Sequence, residues 1–500
     1  KINVATLTDS VGNAVDFTHR MLPLDFPPAG ELLRLCGQTL SIVVCATLLS
    51  VIISIPLALL AARNITEAAP VRGFARTLIV IARAIPDVVF AIVAFRIFGL
   101  GGLTGIVAMG LHSVGMVGKL YADTIEHLDE GQRRAVRATG ASGWQELTVG
   151  VFPQVLPALL ATALHRLDIN LRVSVVLGFV GVNGLGYAIA NAVTSLDYQR
   201  GMALALVVVA LCVAVELACS GIRHRLLTGG KSGRSARLAA PGQISPPWTV
   251  RRAAHTTAAV AAACAIIACG YGADISGRAL LDAPHQTVSA LRLFVPPSTG
   301  GIASTLFSDL WLTVKIALAS TLIGFVLAVP MGLLAARNVS PLPRFAAGFR
   351  TLIVLVRGIP ELILGIVFVV ITGLGAVAAT LALSVGAVGL LGKLIADSLE
   401  EIEPGVLTAI RATGAGRLQV LAAVVPCVAP ALVAHGLYQL DVNIRSATLL
   451  GIVGAGGIGY DLLNAARVQE FGVVTTVLLM VLAIVLAVEA IAIGLRRTVS

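Results

Sequence analysis

Apolar runs of eighteen residues or more recur along this chain, and they come in two matching series. A helix of about 20 apolar residues crosses roughly 30 Å of hydrocarbon. Only structures that satisfy their own backbone polar groups persist there. Hydrophobic residues make up 57% of the chain and charged residues 12%, about half the share usual in soluble domains. The pattern excludes a string of soluble domains and predicts an all-α polytopic membrane protein in contact with lipid.

The two series are copies. Leu59-Leu-Ala-Ala-Arg-Asn64 returns as Leu333-Leu-Ala-Ala-Arg-Asn338, a shift of 274 residues. The same shift relates Arg76-Thr-Leu-Ile-Val80 to Arg350-Thr-Leu-Ile-Val354, and Ala135-Val-Arg-Ala-Thr-Gly-Ala-Ser142 to Ala409-Ile-Arg-Ala-Thr-Gly-Ala-Gly416. One residue is then lost, and Asp168-Ile-Asn-Leu-Arg172 matches Asp441-Val-Asn-Ile-Arg445 at 273. Gly184-Leu-Gly-Tyr187 matches Gly457-Ile-Gly-Tyr460 in that frame. Internal symmetry of this kind marks a duplicated unit.

The organisation expected is an external lead-in (1–36), repeat 1 (37–226), a connecting region (227–310) and repeat 2 (311–497). Five spans are expected in repeat 1, at roughly 37–62, 75–98, 104–122, 153–178 and 203–222. Repeat 2 should place them at 311–336, 349–371, 376–396, 426–451 and 472–494, with one further span at about 254–272 between the repeats.

Charge sets the orientation. The net charge of +10 gathers in alternate loops, as cytoplasmic loops of membrane proteins require, and gives no reason to invoke nucleic acid. Arg63, Arg72 and Arg76, their counterparts Arg337, Arg344 and Arg350, and the linker residues Arg223, Arg225, Lys231, Arg234, Arg237, Arg251 and Arg252 belong inside. The uncharged turns Gly99–Gly102 and Gly373–Gly375 belong outside. With the connecting span the repeats run parallel, related by an axis along the membrane normal. Residues 1–36, carrying Asp9, Asp16, Asp25 and Pro27-Pro28, then lie outside and resemble the stretch around Pro296-Pro297. A helix ahead of Lys1 is expected as the counterpart of 254–272, giving twelve spans with both ends inside. The seven cysteines are scattered in apolar helices, without metal-type pairing.

The duplicated polar segments lie on the inner side, each followed by a proline-bearing apolar helix, from Pro153 and from Pro426. In this register Arg134-Ala135-Val136 with Gly140 and Pro153, and Thr408-Ala409-Ile410 with Gly414 and Pro426, resemble the Glu-Ala-Ala, three residues, Gly signature of bacterial ABC importer permeases. The leading glutamate is absent from both copies. Taken on through Arg-Ala-Thr-Gly-Ala, Asp-x-Asn-x-Arg and the Gly-Tyr stretch, the chain is similar to phosphonate/phosphate-type permeases over nearly all of both repeats. The resemblance implies a type I importer permease fold, two ATP-binding subunits seated on Arg134, Ala135, Arg137, Ala138 and Gly140 and on Thr408, Ala409, Arg411, Ala412 and Gly414, and an external substrate-binding protein. ATP and Mg²⁺ would be held by those partner subunits. No Gly-x-x-x-x-Gly-Lys-Ser/Thr loop occurs at Gly118-Lys119 or Gly392-Lys393, so these are no phosphate cradles. No catalytic or metal site is assigned to this chain.

A charge inside the bilayer costs about 2.5–3.5 kcal/mol on insertion scales and needs a reason. Arg83 and Arg357 stand just before Ile85-Pro86 and Ile359-Pro360. They either meet an anion or satisfy a carbonyl freed by the proline. Asp168 and Arg172, like Asp441 and Arg445, are spaced i, i+4 on one helix face. They form self-neutralising pairs or line an anion route, with Asn170 and Asn443 on another face. Lys119/Asp123 and Lys393/Asp397 share that spacing at an inner helix end and favour a structural pair. Gly178, Gly181, Gly184 and Gly186 with Tyr187, and Gly451, Gly454, Gly456, Gly457 and Gly459 with Tyr460, suit a re-entrant bend or close helix packing. The resemblance places an outer gate there.

Two function classes follow. One is the fused permease of an ATP-driven importer for phosphonate, phosphate or a related oxyanion, working by alternating access in the bacterial plasma membrane. The other is a secondary transporter or channel with parallel repeats.

Overall fold

A computed structural model describes residues 12, 19–228, 250–275, 277–340 and 342–499. Asp9, Asp16, Lys231, Arg234 and Arg237 lie outside the described residues, as do the side chains of Arg251 and Arg252. Every regular element among the described residues is helical. Repeat 1 comprises α1 (Ala29–Ala61), α2 (Ala69–Ala84), α3 (Asp87–Phe98), α4 (Gly102–Glu126), α5 (Glu130–Ala138), α6 (Gly143–Gly178), α7 (Leu185–Thr194) and α8 (Tyr198–Thr228). The connection holds α9 (Val250–Gly272) and α10 (Gly277–Leu293). Repeat 2 comprises α11 (Ala303–Ala335), α12 (Pro343–Gly358), α13 (Glu361–Thr372), α14 (Ala376–Glu400), α15 (Pro404–Ala412), α16 (Arg417–Leu450), α17 (Ile458–Arg467) and α18 (Phe471–Val499). Two compact units form: Pro27–Ala190 with Ala214–Gln286, and Lys1–Phe26 with Asn191–Val213 and Thr287–Ser500.

Eight helices are long and apolar enough to span, and two broken pairs bring the number to ten; the connecting span expected at 254–272 is not among them, since α9 shows only the shorter apolar stretch Val260–Gly272 among the described residues. The breaks correct the continuous spans expected at 75–98 and 349–371. α2 and α3 meet at 91°, α12 and α13 at 80°. The cause is local: a residue before proline is driven out of the helical region. Ile85 and Ile359 are accordingly extended, at φ −77°, ψ 123° and φ −83°, ψ 118°. The Ile85 carbonyl, released by the break, accepts a hydrogen bond from His112 Nδ1 at 3.0 Å. The segment expected outside after residue 272 contains a helix, α10, that the sequence reading did not pick out.

The residue lost between repeats has a physical counterpart. α6 contains a π-helical turn at Glu146–Val151, whereas α16 is regular over the corresponding turn. A π turn absorbs one inserted residue without ending a helix. The frame shift from 274 to 273 falls there.

α4 and α14 are the central helices of their repeats, with 67% of the apolar window buried against 17–39% for the other spans. Glycines admit their neighbours. A Cβ on Gly110 would meet Leu49 Cδ2 at 2.7 Å, and one on Gly324 would meet Ala387 Cβ at 2.5 Å. Small residues at helix contacts suit a bilayer, where van der Waals packing drives association. At the inner end of repeat 1, Ala58, Ala61, Ile79, Val117, Tyr121, Ile125, Val151 and Val155 form one buried cluster. Tyr121 within it donates to the Leu159 carbonyl at 3.1 Å.

Candidate functional site

The inner-side segments begin from the Arg-Asn motif closing the first helix of each repeat. Arg63 N–H donates to Glu126 Oε1 at 2.8 Å and Asn64 Nδ2 to the Ile125 carbonyl at 2.7 Å. Arg76 reaches the same carboxylate at 2.6 Å while its Nε donates to the Ala61 carbonyl at 3.0 Å. Repeat 2 reproduces the set: Arg337 N–H to Glu400 at 2.7 Å, Asn338 to the Leu399 carbonyl at 2.5 Å, and Arg350 to Glu400 at 2.7 Å. The repeated arginines therefore tie the first three spans together as well as marking the inner side. Glu126 and Glu400 escaped the sequence reading, although they recur at the 274 shift.

From that base each short helix projects outward. Asp129 caps α5 by accepting from Gly131 N–H at 2.8 Å. Gly140 and Gly414, two residues past the ends of α5 and α15, are both at φ +78°, a conformation in which a Cβ is strained. Ser142 and Gln145 form a capping box that opens α6, and Gly416 N–H donates to Gln419 Oε1 at 2.8 Å to open α16. Arg134, Ala135, Arg137 and Ala138 are exposed, as are Thr408, Ala409, Arg411 and Ala412. No atom lies within 4 Å of where a Cβ on Gly140 or Gly414 would stand; the shape of the turn, and not crowding, requires glycine there.

The two helices are seated differently. Arg133 is bonded to Glu146, to Glu130 at 3.2 Å and to the Asn64 carbonyl. Burial works against its charge, but the Glu146 bond and the nearness of Glu130 outweigh it and hold the guanidinium above its ordinary range. In repeat 2 the corresponding residues are Leu407 and Val420, both buried in one apolar cluster. There the Asn338 carbonyl takes its hydrogen bond from Arg411 at 2.7 Å.

Within the membrane, Arg172 Nη2 lies 2.8 Å from both Asp168 oxygens and 3.1 Å from Glu216 Oε2. Arg445 also pairs with the aspartate one turn before it, through Asp441 Oδ2, and its Nε donates to the Asp441 carbonyl at 3.4 Å. Sequence reasoning missed Glu216, which recurs as Glu489 at the 273 shift. Asn170 is fully buried, donating to Thr47 Oγ1 at 3.0 Å and accepting from Ser113 at 3.0 Å. Asn443 donates to Thr321 at 2.8 Å and Ser320 at 3.2 Å, and accepts from Gln439 at 2.8 Å. These asparagines bind helices to one another. Arg166, also missed, is buried and donates to Ser113 at 2.7 Å; Gln439 holds its place in repeat 2.

Arg83 and Arg357 occupy the last turns of α2 and α12, where a cation complements the carbonyl end of a helix. Their backbones press on the central helices, so that a Cβ on Gly115 would meet Arg83 N at 2.4 Å and one on Gly389 would meet Arg357 N at 3.2 Å. The carbonyl of Ile85, at the break that follows Arg83, accepts from His112. Lys119 and Asp123 form no ion pair among the described residues. In repeat 2 Asp397 lies 3.8 Å from Arg350.

At the outer side α6 ends at Gly178 and the chain turns through Gly181 (φ +95°) and Gly184 (φ +120°). It then returns as α7, packed so closely that a Cβ on Gly178 would meet Gly186 C at 2.1 Å. In repeat 2 a Cβ on Gly459 would meet the Thr448 oxygen at 1.8 Å, and one on Gly451 would meet Gly459 Cα at 2.8 Å. Gly454, Gly456 and Gly457 carry positive φ. Bend and close packing thus hold together. A threonine clasps each returning helix: Leu185 N–H donates to Thr39 Oγ1 at 2.9 Å, and Ile458 N–H to Thr313 Oγ1 at 3.0 Å. Tyr187 and Tyr460 are exposed.

Residues 54–228 and 328–499 each match the family described as binding-protein-dependent transport system inner membrane component. The phosphate-import permease protein PhnE of Mycolicibacterium smegmatis is 41% identical over 97% of this chain and 88% of its own length. The phosphite transport system permease protein PtxC of Stutzerimonas stutzeri is 35% identical over 45% of this chain and 81% of its own. Among solved structures, the MetNI methionine ABC transporter contains a chain 26% identical, matched over its whole length and 41% of this one with a TM-score of 0.38.

Proposed function

Since the chain belongs to the family of binding-protein-dependent transport system inner membrane components, carrying its domain twice, we propose that it is the complete translocation pair of an ATP-driven importer for phosphate, phosphonate or a related small phosphorus oxyanion. It is a multi-pass protein of the bacterial plasma membrane and a translocation subunit rather than an enzyme. The observation that carries the proposal is the duplication of the family's domain, each copy presenting one exposed inner-side helix, α5 or α15, on a rigid base of arginine, asparagine and glutamate.

One ATP-binding subunit seats on α5 and one on α15, and an external binding protein delivers substrate to the outer side. Movement of the docked subunits passes to the spans through the Glu126 and Glu400 junctions, which join each short helix's base to the first three spans. The outer ends close through α7 and α17. Arg172 and Arg445, with Arg83 and Arg357 nearer the bends, attract the anion. Exchange of substrate for a neighbouring carboxylate avoids leaving a bare buried charge. The relatives' names support a phosphorus oxyanion as substrate class.

The test of this substrate class is uptake of labelled phosphate by the chain reconstituted with its binding protein and ATP-binding subunits. Phosphonate and phosphite should compete, and sulfate and betaine should not. Equal competition by betaine would refute an oxyanion route.

A further inference from the structure

α10 lies between α9 and the span α11, on the side the charge pattern places outside. We infer that the C-terminal half of α10 is a membrane-interface anchor, its lateral apolar stripe seated in the outer phospholipid leaflet.

Three sectors can be distinguished on this helix. Ala290 is 4% exposed, and Ala283 and Thr287 are half-buried on the same side. Asp282, His285, Ser289 and Arg292 recur at spacings of three and four and are exposed, which makes a polar face toward water. Between these sectors Val288 and Leu291 stand at 56% and 50% exposure. A helix with one protein-facing, one polar and one bare apolar sector matches the boundary between headgroups and acyl chains.

The level of the helix in the membrane is fixed by a separate set of contacts. Immediately after α10, the Phe294 carbonyl accepts from Thr475 Oγ1 at 2.7 Å, and the Ser298 carbonyl from Thr476 Oγ1 at 2.6 Å. Ser298 N–H donates to the Gly472 carbonyl at 3.1 Å, and the rings of Phe294 and Phe471 are 5.0 Å apart. All these partners lie in the first two turns of α18, the last span, so the stripe is held where α18 enters the membrane. At the start of α11, Phe307 and Trp311 are 68% and 58% exposed, with Lys315 Nζ 5.7 Å from the Trp311 ring centre. Aromatic residues with a nearby lysine mark the membrane–water interface. These residues open the span that follows α10 in the chain, on the same outer side.

The experiment uses the full chain in nanodiscs, with Trp144, Trp248 and Trp311 replaced by phenylalanine and single tryptophans placed at Val288, Leu291 or Ser289. Phospholipids brominated near the top of the acyl chain serve as quencher. Quenching of Val288→Trp and Leu291→Trp at least threefold stronger than that of Ser289→Trp is expected, unchanged by the external binding protein. Equal weak quenching at all three positions would overturn the inference. So would loss of quenching at Val288→Trp and Leu291→Trp on adding the binding protein, because the stripe would then be a protein-docking surface. The native-like melting temperature of each variant, read in parallel, confirms that the helix is in place.

Discussion

Arg133 and Glu146 form an ion pair between the inner-side helix of repeat 1 and the span that follows it, at positions that repeat 2 fills with Leu407 and Val420. The same mechanical junction is built once from charge and once from hydrocarbon. A half-buried pair gains little over a well-packed apolar pair, yet removing one partner strands the other. Glu146→Val alone is therefore expected to lower the stability of repeat 1 by roughly 2 kcal/mol, and adding Arg133→Leu should recover most of it. Thermal unfolding of the purified chain checks this. A double variant less stable than Glu146→Val would show that the pair acts as more than a seat.

The threonine clasps predict a local effect. Thr39→Val and Thr313→Val each remove the acceptor of the first N–H of a returning helix. A hydrogen bond of about 1–1.5 kcal/mol corresponds to roughly tenfold in local opening. Hydrogen exchange at the Leu185 amide in the first variant, and at Ile458 in the second, should accelerate by about that factor with little change elsewhere. Unchanged exchange would mean that the glycine packing alone holds α7 and α17.

Proton binding distinguishes the two outer ends. Asp461, in the first turn of α17, has its pKa pushed up to about 6 from 3.8, first by burial and then by the neighbouring Asp309. Because the folded value lies above the unfolded one, this group's stabilising contribution is full below about pH 3.8. It is lost as the pH rises through about 6. Repeat 1 has Ala188 and Leu35 at these places. Raising the pH from 4.5 to 7.5 should loosen α17 more than α7, as read by limited proteolysis, and Asp461→Asn should abolish the difference. An unchanged pH response in Asp461→Asn would exclude this carboxyl as its source.

The Arg172 cluster separates a structural from a transport role. Arg172→Gln leaves Asp168 and Glu216 facing one another without their cation, and expression should fall. Neutralising all three, as Asp168→Asn, Arg172→Gln and Glu216→Gln, should restore folding. If Arg172 lies on the anion route, uptake by the triple variant stays at least tenfold below the parent. Full uptake would leave Arg172 a clasp between α6 and α8 and nothing more.

Much of the architecture was legible because membrane helices announce themselves by apolar length, and duplication checks each one against its copy. Ile85-Pro86 signalled a disturbance, but neither the 91° angle nor the bond from His112, 27 residues away, could be read from it. Asp168 with Arg172 was visible because both stand on one helix. Glu216 was not, since its approach depends on how α8 packs. The asparagines Asn170 and Asn443 looked like pathway residues in sequence, yet threonines on α1 and α11 had to be placed before their interhelical bonds emerged. For Gly140 and Gly414, smallness was evident, but the positive φ that demands glycine belongs to the turn.

The central claim is ATP-driven import by a duplicated permease, and its most direct measurement is accumulation of labelled phosphate in proteoliposomes holding the chain with its ATP-binding subunits. External binding protein is supplied outside and ATP within. Accumulation should require enclosed ATP, persist when an uncoupler collapses the proton gradient, and disappear when the ATP-binding subunits are omitted. Accumulation that survives without ATP and collapses with the uncoupler would contradict the account.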